Sequence, residues 1–261
     1  MAIQRSEAPG DDRSPSVKSA LRTVQLLETL AERNGLPARL RELADDLRAP
    51  RSSVHALLRT LTASGWVRTD PTGTLYTLGL RALLVGAAFL EADPYVRAAR
   101  PVLADLRDDL GETIHLARLD GDRMVYLITQ ESGQSARRIS RVGRWLPAHS
   151  TSLGKAVLAA RGDELSGPLE ALTDRTITDP DALAADLALT RERGYSIDDE
   201  ENTRGTHCVG MALGYTSPVT DAISCSMPLD RYSAKREAEV ITALTRARIK
   251  LEESAPLQGS F

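Results

Sequence analysis

The strongest hydrophobic pattern of the chain runs from Leu40 to Trp66. It holds two successive sets of apolar residues at i, i+3, i+4 and i+7, which is the spacing of one helix face. The first set is Leu40, Leu43, Ala44 and Leu47, and the second is Val54, Leu57, Leu58 and Leu61. Arg48-Ala49-Pro50 interrupts the pattern, and Pro50 suits the first position of a new helix. The segment therefore predicts two short helices joined by a tight turn.

The second of these helices has a polar face without acidic residues. At 100° per residue, Ser52, Ala56 and Arg59 project away from the apolar face. Four arginines and no acidic residue occur from Arg48 to Thr69. The phosphates of DNA select for such a local imbalance, so the pattern predicts a helix-turn-helix whose second helix enters a DNA groove. The candidate groove and phosphate contacts are Arg51, Ser52, Ser53, His55 and Arg59.

A preceding helix and a following hairpin complete this predicted domain. The helix ends at Asn34-Gly35, and its apolar positions are Val17, Leu21, Val24, Leu27 and Ala31. In the hairpin, the strand-like runs Trp66–Thr69 and Thr74–Leu78 flank Asp70-Pro71-Thr72-Gly73, which suits a type I turn. Thr72 and Thr74 are candidate phosphate contacts on this wing. We therefore expect a winged helix-turn-helix over residues 16–79, after a disordered tail over residues 1–15.

The next segment, Leu80 to Leu90, carries one charge in eleven residues. It is too short to span a membrane and too apolar to stand exposed as a lone helix. Burial against the same helix of a second subunit resolves this conflict, so we predict a linker and dimerisation helix over residues 80–93. A homodimer also suits DNA, because paired helices match two half-sites about 34 Å apart in a palindromic operator. Pro94 marks the predicted domain boundary.

Residues 94–261 show a mixed pattern, which predicts an α+β domain with helices laid on a largely antiparallel sheet. The predicted helices are Val96–Leu110, Leu153–Ala160, Glu164–Leu172, Asp181–Arg193 and Ser233–Glu253. The predicted strands are Thr113–Leu119, Arg123–Thr129, Arg137–Val142, Tyr195–Asp198, His207–Leu213 and Asp221–Met227. Small ligand-sensing modules have this organisation.

Composition supports two domains of different kinds. The 261 residues are enough for two cores. Residues 1–80 hold 11 Lys and Arg against 9 Asp and Glu, a balance of +2, whereas the remainder holds 22 against 27, a balance of −5. With two cysteines, a polar N-terminus and no long apolar run, we expect a cytoplasmic protein without a membrane partner.

Three features of the second domain suggest a small-molecule site. The run His149 to Lys155 gathers hydroxyls and amides at a helix start, which attracts an anion such as a carboxylate, although ordinary helix capping explains it equally well. Ser224 and Ser226 lie at i and i+2, on one face of a strand. The acidic run that begins at Asp198 is followed by Cys208. An acidic run is also typical of a solvated surface, and a single cysteine is also typical of a small core residue.

Four separated motifs occur together in this order. They read LRELADDLRAPRSSVHALLRTLTASGW, LPAHSTSLGKAVLA, GYSIDDEENTRGTHCVGMAL and AISCSMP. In these motifs, from about Val17 to about Leu251, the chain resembles the IclR family of bacterial transcriptional regulators. The resemblance implies a winged helix, a linker helix and an effector domain related to the GAF fold. It also implies a dimer or a dimer of dimers, and repression more often than activation.

The resemblance further implies which residues bind the effector, a small organic acid or an aromatic or sugar-derived catabolite. They are Ser152 and Leu153 at the helix start, with Asp198, Cys208, Ser224 and Ser226 opposite. The chain departs from a common family pattern at Ser152-Leu153, where some members have smaller residues. It departs again at Met227, where a glycine is frequent before the proline.

Two other functions are compatible with parts of the sequence. A Cys-dependent enzyme would need a base beside Cys208, and His207 points to the opposite strand face, which leaves His115 or His149. The histidines show no HxH or HExxH spacing, and no phosphate loop or dinucleotide fingerprint occurs, so we expect no metal and no cofactor. An effector-independent DNA-binding protein is the second alternative, and the sensor-like domain argues against it.

Overall fold

The computed structural model describes residues 17–33, 35–133, 141–165 and 167–256. The chain divides into two compact units, Met1–Phe89 and Leu90–Phe261. Within the described residues, no helix is long and apolar enough to cross a membrane.

The N-terminal unit combines three helices with a small antiparallel sheet. The helices are α1 Lys18–Glu32, α2 Leu40–Asp46 and α3 Arg51–Ala63, and the strands are β1 Ala38–Arg39, β2 Val67–Thr69 and β3 Leu75–Leu78. The strand order is β1-β3-β2. Both predicted apolar sets, on α2 and α3, pack in one core with Leu26 and Leu30 of α1. The predicted helix-turn-helix and its hairpin wing are therefore confirmed.

Two details of this unit differ from the prediction. Helix α1 is present, but Leu26 and Leu30 are its buried residues, whereas Val17 and Val24 are exposed. The chain offers two apolar rows on this helix, and periodicity alone does not say which row meets the core. In the turn, Arg48 has a left-handed φ of 46°, and Pro50 caps α3 from the residue before its start.

Helix α4, Leu80–Ala92, follows the wing and runs across the division between the two units. None of its residues, all of which the structure describes, is buried. Five of its large apolar side chains are more than half exposed, namely Leu80, Leu83, Leu84, Val85 and Phe89, whereas Leu90 is partly buried against the core of the C-terminal unit.

The C-terminal unit is a six-stranded sheet with helices on both faces. The helices are α5 Pro94–Leu110, α6 Ser152–Arg161, α7 Pro180–Arg193 and α8 Ala234–Glu253. The strands are β4 Thr113–Asp120, β5 Arg123–Gln130, β6 Trp145–Pro147, β7 Ser196–Asp199, β8 Thr206–Leu213 and β9 Asp221–Pro228. Every pairing is antiparallel, in the order β6-β5-β4-β9-β8-β7. Helices α5 and α8 cover one sheet face, and α6 and α7 contribute to the core on the other.

Two predicted elements of this unit are not found among the described residues. The helix expected over Glu164–Leu172 is wrong, because its described residues form no helix. Gly167 has a φ of 104°, and Pro168 disfavours the helical conformation of the residue before it. The strand expected over Arg137–Val142 lies outside the described residues, except for Arg141 and Val142, which form no strand.

Candidate DNA interface and effector site

The face of α3 that we predict to contact DNA is exposed to solvent. Arg51, Ser52, His55 and Arg59 are exposed, whereas Val54 and Leu58 opposite them are fully buried. Ser53 is half-buried, and its hydroxyl accepts a hydrogen bond from Arg22 of α1 at 3.5 Å. This face is therefore a projecting set of hydrogen-bond donors on a rigid helix.

The wing turn is organised around the Asp70 carboxylate. It accepts hydrogen bonds from the backbone N–H groups of Thr74 and Leu75, both at 2.8 Å, and from the Thr72 hydroxyl. The Thr72 hydroxyl, which is 2.7 Å from that of Thr74, and the backbone bonds lower the pKa of Asp70 to about 2. The Thr72 hydroxyl therefore donates its hydrogen bond within the turn. The exposed Arg68 on β2 is a further basic group of the wing, which the sequence analysis did not name as a DNA contact.

The strand register brings four of the predicted effector residues together. One row across the sheet contains Asp198, Cys208, Ser226 and Thr113, and the next contains Ser196, Gly210, Ser224, His115 and Thr129. Residues two apart on a strand share a face, so the two rows lie side by side. We call this surface, formed by both rows, the polar sheet face. The Cys208 thiol lies 3.2 Å from the Ser226 hydroxyl.

The start of α6 lies directly on this face. Ser196 donates a hydrogen bond from its hydroxyl to the Ser152 carbonyl, and a Cβ added at Gly210 would lie 2.6 Å from the Ser152 carbonyl carbon. The first turn of α6 is also pressed against Ala148, whose carbonyl oxygen would lie 2.2 Å from a Cβ on Gly154. Ser152 therefore borders the polar sheet face, whereas Leu153, 1% exposed, packs in the apolar core beneath α6.

The charges at this site do not create a nucleophile. Burial raises the pKa of Cys208 well above its usual value, and the nearby Asp198 raises it further. Burial also raises the pKa of Asp198, whose carboxylate accepts hydrogen bonds from the N–H groups of Glu201 and Asn202 at 2.8 and 3.1 Å. His207 turns away, with its ring nitrogens 3.2 Å from Asp199 and 2.8 Å from Glu237. Cys208 is thus a neutral thiol, and the adjacent His207 of β8 contacts acidic residues instead of the thiol.

Two further residues, Tyr126 and Arg141, lie beside His115 at one end of the polar sheet face. The His115 and Tyr126 rings are 5.1 Å apart at 86°, and the His115 Nδ1 lies 3.1 Å from the Thr129 hydroxyl. The Arg141 guanidinium lies 5.6 Å from the centre of the Tyr126 ring. Sequence reasoning considered His115 only as a base for Cys208. The alternation of β5 could have placed Tyr126, but no local pattern places Arg141, which lies in a turn.

Known proteins match nearly the whole chain. The profile of the IclR helix-turn-helix domain matches residues 19–71, and that of the bacterial transcriptional regulator IclR C-terminal domain matches residues 87–252. The acetate operon repressor of Salmonella typhimurium is 35% identical over 257 residues, 94% of this chain and 93% of that protein. Transcriptional repressor IclR of Escherichia coli is 35% identical over 249 residues, 90% of each chain.

A solved structure shows the same fold. The IclR transcriptional regulator from Alicyclobacillus acidocaldarius matches with a TM-score of 0.78 at 23% identity, covering 91% of this chain and 98% of that one.

A helix-turn-helix unit joined to a ligand-binding α+β unit defines a DNA-binding transcriptional regulator controlled by a small-molecule effector. The chain belongs to the IclR family, as its motifs predicted. This family consists of regulators and not of enzymes, which excludes the enzyme alternative. The relation of the second unit to the GAF fold stays a prediction.

Proposed function

We propose that this protein represses a catabolic operon by binding a palindromic operator as a homodimer. The α3 helix of each subunit enters the major groove of one half-site, with Arg51, Ser52, Ser53, His55 and Arg59 as its contacts. Thr72 and Thr74 on the wing approach the adjacent phosphates. The observation that carries this proposal is the exposed α3 face, which lies in a segment from Arg48 to Thr69 with four arginines and no acidic residue. Such a protein works in the cytoplasm, where the chromosome lies.

Helix α4 forms the contact between the two subunits. Five large apolar side chains exposed on one 13-residue helix are unfavourable in water. Pairing with the same helix of a second copy removes them from water and sets the spacing of the two α3 helices. A dimer of dimers is a further assembly that a mass measurement distinguishes from a dimer.

The effector is a small organic acid bound at the polar sheet face. Its site comprises Ser152, Leu153, Asp198, Cys208, Ser224 and Ser226. The neutral hydroxyl and thiol groups, in a mostly buried setting, suit a small polar ligand. The effector changes operator affinity because it binds two arrangements of the dimer with unequal affinity. Helix α4 connects the two units and so transmits the change from the effector site to the DNA-binding unit.

The first experiment tests DNA recognition without assuming an operator. Purified protein is incubated with fragments of its own genome, and the retained fragments are sequenced. We expect enrichment of one palindromic site beside a catabolic operon. Folded protein that enriches no sequence at moderate salt, with and without a cell metabolite extract, contradicts the proposal.

A second experiment tests the division of labour. Ser224→Ala should weaken the effector response while operator affinity stays nearly intact, because Ser224 lies in the C-terminal unit. Arg59→Ala should do the reverse. Equal loss of operator affinity and effector response in both variants contradicts a separate effector site.

A further inference from the structure

We propose that Arg141 anchors the carboxylate of the effector, beside Tyr126 and His115, at the β4–β5 end of the polar sheet face. This inference rests on the proposed function, because it takes the effector to bind at that face. It goes further in naming a cationic anchor and an orientation for the ligand.

Arg141 is held in place by its backbone. It begins a turn in which the Arg144 N–H donates to the Arg141 carbonyl at 2.8 Å. Two more bonds fasten this turn to β5, since the Tyr126 N–H donates to the Arg144 carbonyl and the Gly143 N–H donates to the Tyr126 carbonyl, both at 2.9 Å. The backbone of this turn is therefore tied to the strand that carries Tyr126, and the Arg141 guanidinium lies 5.6 Å from the Tyr126 ring centre.

The Arg141 guanidinium lacks a carboxylate partner within the described part of the chain. Among the residues that the structure describes, no carboxylate forms an ion pair with Arg141, although it is half-buried. By contrast, Arg118 is paired with both Asp93 and Asp221, and Arg231 with Glu112. A partly desolvated guanidinium without a counter-ion favours an anionic ligand, and its planar fork fits a carboxylate.

The neighbours of Arg141 are neutral and able to donate hydrogen bonds. Burial, reinforced by the Arg141 charge, lowers the pKa of His115 to about 3, so the imidazole is neutral at physiological pH. Burial raises the pKa of Tyr126 to about 12, although the charge and hydrogen bond of Arg141 oppose this, so its phenol keeps its proton. This end of the face therefore places one positive charge beside two neutral rings.

The opposite end of the face has the reverse character. Asp198 lies there beside Cys208 and Ser226, where a ligand carboxylate would meet a second acid. The start of α6 offers little room, because Ser152 and Leu153 are 2% and 1% exposed and Gly154 and Gly210 are in tight backbone contact. A ligand with a carboxylate and a hydroxyl fits both parts of the face, since its carboxylate would bind Arg141 while its hydroxyl would lie toward Asp198.

The test compares carboxylates with their primary amides, which have nearly the same shape without the charge. The probes are lactate, 4-hydroxybutyrate and 4-hydroxybenzoate with their three amides, measured by titration calorimetry on the full chain. The variants are Arg141→Gln, Ser224→Val and the matched control Arg144→Gln, whose side chain is exposed on the same turn. Thermal unfolding confirms that each variant is folded.

We expect at least one acid to bind the wild type more tightly than its amide. Arg141→Gln should weaken that acid by about 10- to 100-fold, the range for a hydrogen-bonded charge pair, and remove the preference over the amide. Arg144→Gln should leave both values unchanged, and Ser224→Val should weaken acid and amide alike.

Each other outcome overturns the inference. If Ser224→Val weakens acid binding and Arg141→Gln does not, the effector site stands and Arg141 is not its anchor. If neither variant changes acid binding, the proposed site is wrong as well. If the wild type binds none of the acids at millimolar concentration, or prefers the amides, a carboxylate anchor is excluded.

Discussion

The Lys155 ammonium lies 2.5 Å from a Glu201 carboxylate oxygen, and the two side chains are 1% and 8% exposed. Asp186 of α7 is a second partner, at 2.9 Å. Lys155 lies one turn into α6. Glu201 lies in the loop after β7, and the N–H groups of Glu201 and Asn202 in this loop donate hydrogen bonds to the Asp198 carboxylate. Burial raises the pKa of Glu201, and the Lys155 charge opposes this. The ion pair therefore joins α6 to the loop beside the polar sheet face.

Removing this cation should destabilise the protein strongly. Lys155→Met leaves the buried Glu201 carboxylate without its counter-charge, which typically costs about 3–5 kcal/mol of the free energy of unfolding, whereas Asp186 keeps Arg193 at 3.8 Å. Urea unfolding followed by circular dichroism measures this change. Lys250→Met is the matched control, because Lys250 is 62% exposed, 3.7 Å from Asp105, and such a pair contributes at most about 1 kcal/mol. Equal effects of the two substitutions would contradict the structural role of Lys155.

The contact between Gly210 and α6 gives a second prediction. In Gly210→Ala the new Cβ would meet the backbone of Ser152, which cannot turn away as a side chain can. We expect a loss of about 1–3 kcal/mol in the free energy of unfolding, with weaker effector binding because the start of α6 is displaced. Gly133→Ala, where no described residue lies within 4 Å of the added Cβ, should be neutral. A stable Gly210→Ala protein with normal effector binding would show that α6 is free to shift.

His115 predicts how stability depends on pH. Its folded pKa is about 3, against about 6.5 when unfolded, so the unfolded chain binds more protons between these values. The contribution of His115 to the free energy of unfolding is complete above pH 6.5. It falls as the pH decreases, by up to about 1.4 kcal/mol per pH unit. His115→Gln should flatten the stability curve between pH 6.5 and 4.5, whereas the exposed His55→Gln should not. Curves of the same slope for His115→Gln and the wild type would place the acid sensitivity elsewhere.

The sequence predicts most of the fold because its elements have strong local patterns. Helices α2 and α3 follow from four apolar residues each, and the antiparallel hairpin of β4 and β5 follows from a short turn. The buried row of α1 could not be predicted, because tertiary packing chooses between Val24 and Leu26. For the candidate site, motif resemblance names Ser224 and Cys208. The turn that carries Arg141 is joined to Tyr126 by the backbone bonds of Gly143 and Arg144, and no pattern in the sequence predicts these bonds.

Substitution of Arg59 distinguishes base recognition from phosphate binding. It is exposed on α3, and we expect Arg59→Ala to cost about 1–3 kcal/mol in operator binding and to relax preference at one base pair. Affinities for operator variants at fixed salt measure both effects. Arg246→Ala, an exposed arginine of α8, is the control. Uniform weakening across all sequences, with a smaller salt slope, would instead make Arg59 a phosphate contact.

The exposed apolar side chains of α4 predict a dimer that a single charge disrupts. Leu84 is 56% exposed on this helix, so Leu84→Glu should leave the folded subunit intact while placing a carboxylate in the subunit contact. We expect the molar mass from light scattering to fall to that of a monomer, and operator affinity to fall because a lone subunit reads one half-site. Leu189→Glu on α7, where the leucine is 54% exposed, tests whether any new surface charge has this effect. A Leu84→Glu protein that keeps the wild-type mass and operator affinity would place the subunit contact away from α4.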